Sequence, residues 1–132
     1  MTGDGAGRPL YIPQERRAGG MKQVFNAGIA KRHGMTAAVL AEHIWREVKE
    51  NEFQGRHRYG GNVWMRCSMP MFTAVMPYLS KGMVHGGIRR LVRGGLLVKG
   101  EFNQSRFDRT AWYAFTAYGR KVMEESEDED YE

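Results

Sequence analysis

Residues 80–97, SKGMVHGGIRRLVRGGLL, place an amphipathic helical pattern directly before a pattern typical of a strand. Val84, Ile88 and Leu91 recur at the spacing of one helical face, which predicts that this face is buried. Ser80 can cap the beginning of the helix, and the glycine pair after the arginines favours its end. The stretch therefore predicts a helix with one apolar face and one polar face.

The segments around this helix determine the fold class that we expect. Before it, Ser68 can cap a helix over MPMFTAVM that Pro77 ends, so that only a short turn separates the two helices. After it, LLVKGE and TAWYAF predict two strands joined by the loop FNQSRFDR. Two helices joined by a short turn and followed by a hairpin are the layout of a winged helix-turn-helix domain.

The N-terminal half adds two helices and a strand. Asn26 can cap AGIAKRH, which stops at the glycine after it, and Thr36 can cap TAAVLAEHIWREVKE, whose predicted buried face includes Ile44 and Trp45. The segment NEFQGRHRYGGN is turn-rich, and VWM predicts a short strand. Thr116 can cap a last helix over AYGRKVMEES. We therefore expect an α+β, mostly helical fold: a winged helix-turn-helix with a short strand, a two-stranded wing hairpin and a C-terminal helix.

Composition and charge divide the chain into three parts. Its 132 residues, 42% of them hydrophobic, suit one compact domain. We expect a flexible N-terminal arm over residues 1–20, a winged-helix domain over residues 21–123 and an acidic C-terminal tail over residues 124–132. Residues 1–123 carry 20 basic and 8 acidic residues, a net charge of +12. Such a basic body predicts a polyanionic partner, of which nucleic acid is the commonest.

The sequence patterns of several other functional classes are missing. No glycine of the first stretch precedes a lysine, as a P-loop requires, and the apolar period runs through the glycines, unlike a dinucleotide-binding turn. The four histidines are scattered and Cys67 has no second thiol, so we expect no metal site and no intramolecular disulfide. No nucleophile and base pair stands out, and we expect neither catalysis nor a cofactor. No apolar run approaches a membrane span or a signal segment, which predicts a cytoplasmic protein without a membrane partner.

The polar face of the helix predicted within residues 80–97 carries four basic side chains spaced four residues apart: Lys81, His85, Arg89 and Arg93. Alone, such a row is typical of a solvated helix face. In the second helix of a helix-turn-helix unit, however, the exposed face enters the major groove of DNA. We therefore predict that these four residues bind DNA.

The loop FNQSRFDR carries two arginines with different expected roles. Basic side chains in a wing loop commonly reach phosphates or the adjacent minor groove, and we predict that Arg106 binds DNA in this way. We expect Arg109 to form a local ion pair with Asp108 instead. Trp112 and Tyr113 alternate faces on the following strand, and for both we expect core filling rather than base stacking.

Gly86 and Gly87 each cost about 1 kcal/mol relative to alanine inside a helix. They indicate either a close approach to a DNA backbone or to another helix, or simply a weak helix held in place by its apolar residues. The sequence leaves these alternatives open.

Four segments follow a common pattern: VWMRCS, MPYLS, SKGMVHGGIRRLVRGGLL and FNQSRFDRTAWY, the last being the most specific. On these segments, the chain from about Phe25 to Thr116 resembles the N-terminal winged-helix domain of phage and plasmid replication initiator proteins. The resemblance implies DNA binding in replication. Members of that family often carry paired basic residues where this chain has His85 and Gly86.

These observations lead us to expect a non-catalytic protein of a phage or other mobile element that binds double-stranded DNA in replication initiation or transcription regulation. The alternative is a protein-protein interaction module of a replication or regulatory complex. One continuous positive surface would favour DNA, and scattered basic residues would favour a protein partner. The sequence leaves open whether the chain forms a homodimer.

Overall fold

The computed structural model describes the backbone of residues 24–130 and the side chains as far as Ser126. The predicted N-terminal arm lies outside the described residues. Within the described part the chain forms five helices: α1 (Ala27–His33), α2 (Met35–Gln54), α3 (Met69–Val75), α4 (Lys81–Arg93) and α5 (Ala117–Asp130). It also forms five short strands there: β1 (Arg58–Tyr59), β2 (Asn62–Val63), β3 (Met65–Cys67), β4 (Leu97–Gly100) and β5 (Ala111–Phe115). The predicted α+β, mostly helical class is confirmed.

The strands form two antiparallel sheets. β1 and β2 make a small hairpin, whereas β3, β5 and β4 form a three-stranded sheet with β5 in the centre. Met65 of β3 and Lys99 of β4 both pair with Tyr113 of β5. Because paired residues on neighbouring strands share a face, these three side chains belong to the same side of the sheet. The chain passes from β3 through α3 and α4 before it returns to the sheet at β4.

Side-chain caps begin four helices, as the sequence predicts. The backbone amides of Ile29, Met71, Met83 and Gly119 donate hydrogen bonds to the side-chain oxygens of Asn26, Ser68, Ser80 and Thr116, at 2.9, 3.4, 3.1 and 2.9 Å respectively. Each bond satisfies an amide that has no partner within its helix. These short-range contacts therefore fix where α1, α3, α4 and α5 start.

The predicted cap at Thr36 is wrong. Gly34 ends α1 and also immediately precedes α2, which begins at Met35. Gly34 has a φ of 97°, a backbone conformation that glycine adopts far more readily than other residues. The chain therefore turns from one helix into the next at this glycine, which takes the N-cap position two residues before Thr36.

Two helices run further than the sequence patterns indicate. α2 continues through NEFQ to Gln54, where we expected a turn, and ends at Gly55. α5 continues four residues past Ser126 to Asp130, so that most of the acidic C-terminal tail belongs to a helix. The extension of α5 lacks an apolar pattern of its own, which is why periodicity alone did not indicate it.

The segment VWM is not one strand. Val63 ends β2 and Met65 begins β3, so that Trp64 lies between the two. The carbonyl of Trp64 accepts a hydrogen bond from the side-chain amide of Asn51 at 2.8 Å, and its indole N–H donates to the carbonyl of Tyr59 at 2.9 Å. This tryptophan is therefore tied both to α2 and to the first hairpin.

The main core lies between α2, α4 and one face of the three-stranded sheet. Ile44 and Trp45 are both buried, as predicted, and the ring of Trp45 meets that of Phe115 edge-on at 5.2 Å. Val84 and Leu91 are fully buried on the inner side of α4. The apolar face predicted for α4 is thus the face that anchors it, and its polar face is left for solvent.

The other face of the sheet carries a second, smaller apolar cluster of Trp64, Trp112 and Ala114, packed against Phe102. Trp112 and Tyr113 are both buried, on the small cluster and the main core respectively, so the expectation of core filling is confirmed for both. Because both faces of β5 are covered, this strand is the centre of the fold.

Gly87 is the point where α4 crosses α2. A Cβ added at Gly87 would lie 2.5 Å from Cδ1 of Leu40 and 3.3 Å from Cγ2 of Thr36, closer than normal van der Waals contact allows. At Gly86 an added Cβ would meet no atom within 4 Å. Close approach to another helix therefore explains Gly87, whereas packing within the protein does not explain Gly86.

Candidate nucleic-acid interface

The structure places the four predicted residues of α4, Lys81, His85, Arg89 and Arg93, on the exposed side of the helix. They lie opposite the buried side chains of Val84 and Leu91. Their spacing of four residues places neighbouring polar ends about one helical turn apart along the same face. α4 therefore presents a row of cationic and imidazole groups to solvent.

Arg90, the remaining basic residue of α4, does not belong to this row. Its Nη1 donates a hydrogen bond to the backbone carbonyl of His33 at 3.2 Å. That carbonyl lies at the last residue of α1, where helix carbonyls lack partners within the helix. Arg90 therefore holds α1 against α4 and serves the fold.

A groove of about 620 Å³ runs between α4 and the three-stranded sheet. His85 and Arg89 line it from α4, and Lys99 and Arg109 line it from the sheet side. The other lining residues are Cys67, Ser68, Met69, Pro70, Ile88, Val92, Thr110, Ala111 and Tyr113. We call this the basic groove, because four of its lining residues are basic and none is acidic.

The basic groove continues towards the loop between β4 and β5. A second cleft of about 650 Å³ shares Lys99, Arg109, Thr110 and Ala111 with the groove and adds Arg106. Glu101 is the one acidic residue among those that line the second cleft. Lys99 and Arg109 therefore link Arg106 to the basic residues of α4 along one surface. The sequence had indicated a DNA contact for neither of these two linking residues.

The predicted ion pair between Asp108 and Arg109 is wrong. Asp108 instead pairs with Arg66 of β3, with Oδ2 and Nη2 2.6 Å apart. Hydrogen bonding from Thr110, followed by that from Arg66, holds the pKa of Asp108 below its ordinary value. Asp108 is thus held by these two partners. Arg109 forms no ion pair with any described residue and is one of the residues that line the basic groove.

The loop that carries Arg106 is held by one asparagine. The side-chain amide of Asn103 donates to the carbonyls of Asp108 and Thr110 at 2.9 and 2.8 Å, and its oxygen accepts from the indole N–H of Trp112 at 2.8 Å. These residues belong to the segment FNQSRFDRTAWY, the most specific part of the resemblance. The polar residues of that segment therefore act locally to close the loop, while Arg106 stays exposed at its tip.

Two titratable groups with shifted pKa values, the half-buried His43 and the buried Cys67, lie apart from the exposed row of α4. Burial, followed by the charge of Arg46, lowers the pKa of His43 to about 4, so the imidazole is neutral at pH 7. Burial, followed by the charge of Glu47, raises the pKa of Cys67 to about 12, which keeps its thiol protonated. Neither group therefore contributes charge to the basic groove.

Among the described residues, no three His, Cys, Asp or Glu side chains come together in a way that could hold a metal ion. No helix of that part combines the length and apolar character needed to cross a bilayer.

The comparisons with known proteins return nothing: no protein-family model, curated protein or solved structure matches the chain.

Proposed function

We propose that this protein is a winged helix-turn-helix protein that binds double-stranded DNA without catalysing a reaction. In this proposal α3 and α4 are the helix-turn-helix, α4 is the recognition helix, and residues 101–110 are the wing. The order of elements supports it: the five residues 76–80 separate the two helices, and β4 and β5 follow at once. The sheet order β3-β5-β4 supports it too, since it places the hairpin beside the strand that precedes the helices.

The observation that carries the proposal is the acid-free lining of the basic groove. The charges of Arg89, Lys99 and Arg109 converge there from three separate elements of the chain, and Arg106 continues the surface along the wing. A protein-interaction module whose basic residues served only solubility would not require such convergence. Counterions gather on a surface of this kind and are released when phosphates replace them, which drives DNA binding.

The geometry suggests separate roles for the basic residues. Arg89 lies in the middle of α4 and can reach a guanine edge with two hydrogen bonds when the helix occupies the major groove. Lys81 and Arg93, near the two ends of the helix, are placed to meet phosphates. Arg106 and Lys99 then contact the backbone beside the groove that α4 occupies.

The biological setting that we propose is the replication or transcription control of a phage or other mobile element. It rests on the resemblance of VWMRCS, MPYLS and FNQSRFDRTAWY to replication initiators. Whether the protein acts as a homodimer follows from the symmetry of its binding site on DNA, because two-fold protein symmetry is mirrored by a palindromic site.

Comparison of Arg89→Ala with Arg46→Ala tests the proposed interface. Both arginines are exposed and lie within helices, but Arg46 belongs to α2 and lines neither the groove nor the wing cleft. We expect Arg89→Ala to weaken duplex binding by about 1 to 3 kcal/mol, with unchanged thermal unfolding, and Arg46→Ala to bind like the parent. Equal binding by the two variants in fluorescence anisotropy at low salt would rule out this role for α4.

A further inference from the structure

The basic groove has an apolar floor that contact with a paired duplex would not cover. The exposed side chain of Val92 lines it together with Met69 and Pro70, and the buried side chains of Ile88 and Tyr113 complete this apolar lining. The outer surface of a duplex presents phosphates, sugars and the edges of paired bases, while the faces of its bases remain stacked inside. A groove that bound only phosphates would need its basic residues but would have no use for an apolar floor.

Tyr113 supplies a second, independent observation. Its side chain is 5% exposed, and its hydroxyl makes no hydrogen bond with any described residue. An unsatisfied buried hydroxyl costs folding free energy, and because Tyr113 lines the groove, a polar group that enters the groove can supply the partner. Tyr113 pairs with Lys99 in the sheet, which puts the hydroxyl-bearing side chain and an ammonium on the same face.

We propose that the basic groove holds one unpaired nucleotide of a DNA strand. The base lies against Val92, its edge forms a hydrogen bond with the hydroxyl of Tyr113, and its phosphate is bound by Lys99 and Arg109. The volume of about 620 Å³ falls within the range of roughly 300 to 1,000 Å³ that is usual for small-molecule sites. The lack of acidic residues in the lining matches the charge of the phosphate, and the floor matches the flat, apolar face of a base. This proposal rests on the proposed DNA binding and adds to it a preference for DNA with an unpaired end or bulge.

The test compares a blunt hairpin duplex with the same duplex bearing a three-thymidine overhang, by fluorescence anisotropy with the full chain. We expect the overhang to bind more tightly by on the order of tenfold, because one base is removed from water against the apolar floor and one further phosphate meets two cations. Val92→Ser should abolish this preference, because Val92 is the exposed apolar side chain of the floor against which the base lies. The matched control is Val98→Ser: Val98 is 37% exposed against 38% for Val92, but its pairing with Ala114 puts it on the opposite face of the sheet.

Tyr113→Phe tests the hydroxyl separately. Since the hydroxyl has no partner within the described residues, its removal costs no hydrogen bond, and we expect this variant to unfold at or above the temperature of the parent while losing several-fold of the overhang preference. Equal affinity of the parent for the two duplexes would overturn the proposal, as would a preference that survives in both Val92→Ser and Tyr113→Phe.

Failure of the proposed function would have a different signature. If the parent bound neither duplex at low salt, duplex binding would be refuted, and single-stranded oligothymidine would become the probe of the groove. Binding of that probe by the parent and its loss in Val92→Ser would support the nucleotide site. No binding of the probe, or binding that Val92→Ser leaves unchanged, would overturn the site as well.

Discussion

Alanine substitution at Gly86 and at Gly87 should change stability in opposite directions, although the two residues are neighbours in one helix. Each substitution removes the helical penalty of glycine, worth about 1 kcal/mol. At Gly86 nothing opposes this gain, since an added Cβ meets no atom within 4 Å. At Gly87 the added Cβ would lie 2.5 Å from Cδ1 of Leu40. The effect therefore depends on whether Leu40 can move.

Leu40 is fully buried in α2 and cannot move without disturbing the core around it. Forcing an extra methyl group into a packed core typically costs about 1 to 3 kcal/mol. Because the helical gain is common to both variants, it cancels when they are compared. We therefore expect Gly86→Ala to be the more stable of the two by about 1 to 3 kcal/mol, and to be more stable than the parent.

Urea unfolding of the parent and the two variants, followed by circular dichroism, measures this difference. The urea concentration at the midpoint of unfolding should rise for Gly86→Ala and should fall or stay unchanged for Gly87→Ala, each relative to the parent. The dependence of the unfolding free energy on urea should be the same for all three proteins. If Gly87→Ala were as stable as Gly86→Ala, the close crossing of α4 over α2 would be wrong.

Two further predictions concern charge. Burial and the charge of Arg46 lower the pKa of His43 to about 4, so the unfolded chain takes up a proton near pH 6.5 that the folded chain does not. The free energy of unfolding, measured by chemical unfolding, should therefore fall by about 2 kcal/mol between pH 7 and pH 5. A His43→Leu variant with the same pH dependence would refute this origin. Truncation after Ser126 removes five carboxylates from a chain whose first 123 residues carry a net charge of +12. The truncated protein should bind DNA non-specifically more tightly than the full chain at low salt, and this gain should shrink above about 0.15 M salt. Equal binding by the full and the truncated chain would count against competition between the tail and DNA.

The features predicted correctly from the sequence are those set by near neighbours in the chain. Asn26, Ser68, Ser80 and Thr116 each bond to an amide three residues away, so a local pattern is enough to find them. The buried faces of α2 and α4 likewise follow from helical periodicity. Thr36 was mistaken for a cap because the pattern could not show that the chain turns at Gly34 instead.

The candidate site was predicted only in part, because it depends on contacts between distant segments. Arg66 and Asp108 are 42 positions apart, and only the pairing of β3 with β5 brings them together. That contact decides the role of Arg109, which was expected to pair with its neighbour. Lys99 belongs to the groove because of its register against Tyr113, and no local pattern indicates that register.

Selection of bound fragments from random duplex DNA, carried out in parallel with the parent and Arg89→Ala, tests the proposed DNA binding most directly. We predict that the parent enriches one consensus sequence and that Arg89→Ala loses discrimination at one base pair of it, as removal of a two-pronged arginine contact requires. A palindromic consensus would show that the protein acts as a homodimer, and a single half-site that it acts as a monomer. If the parent retained no fragment above the level recovered without protein, the account of α4 as a DNA-reading helix would be contradicted.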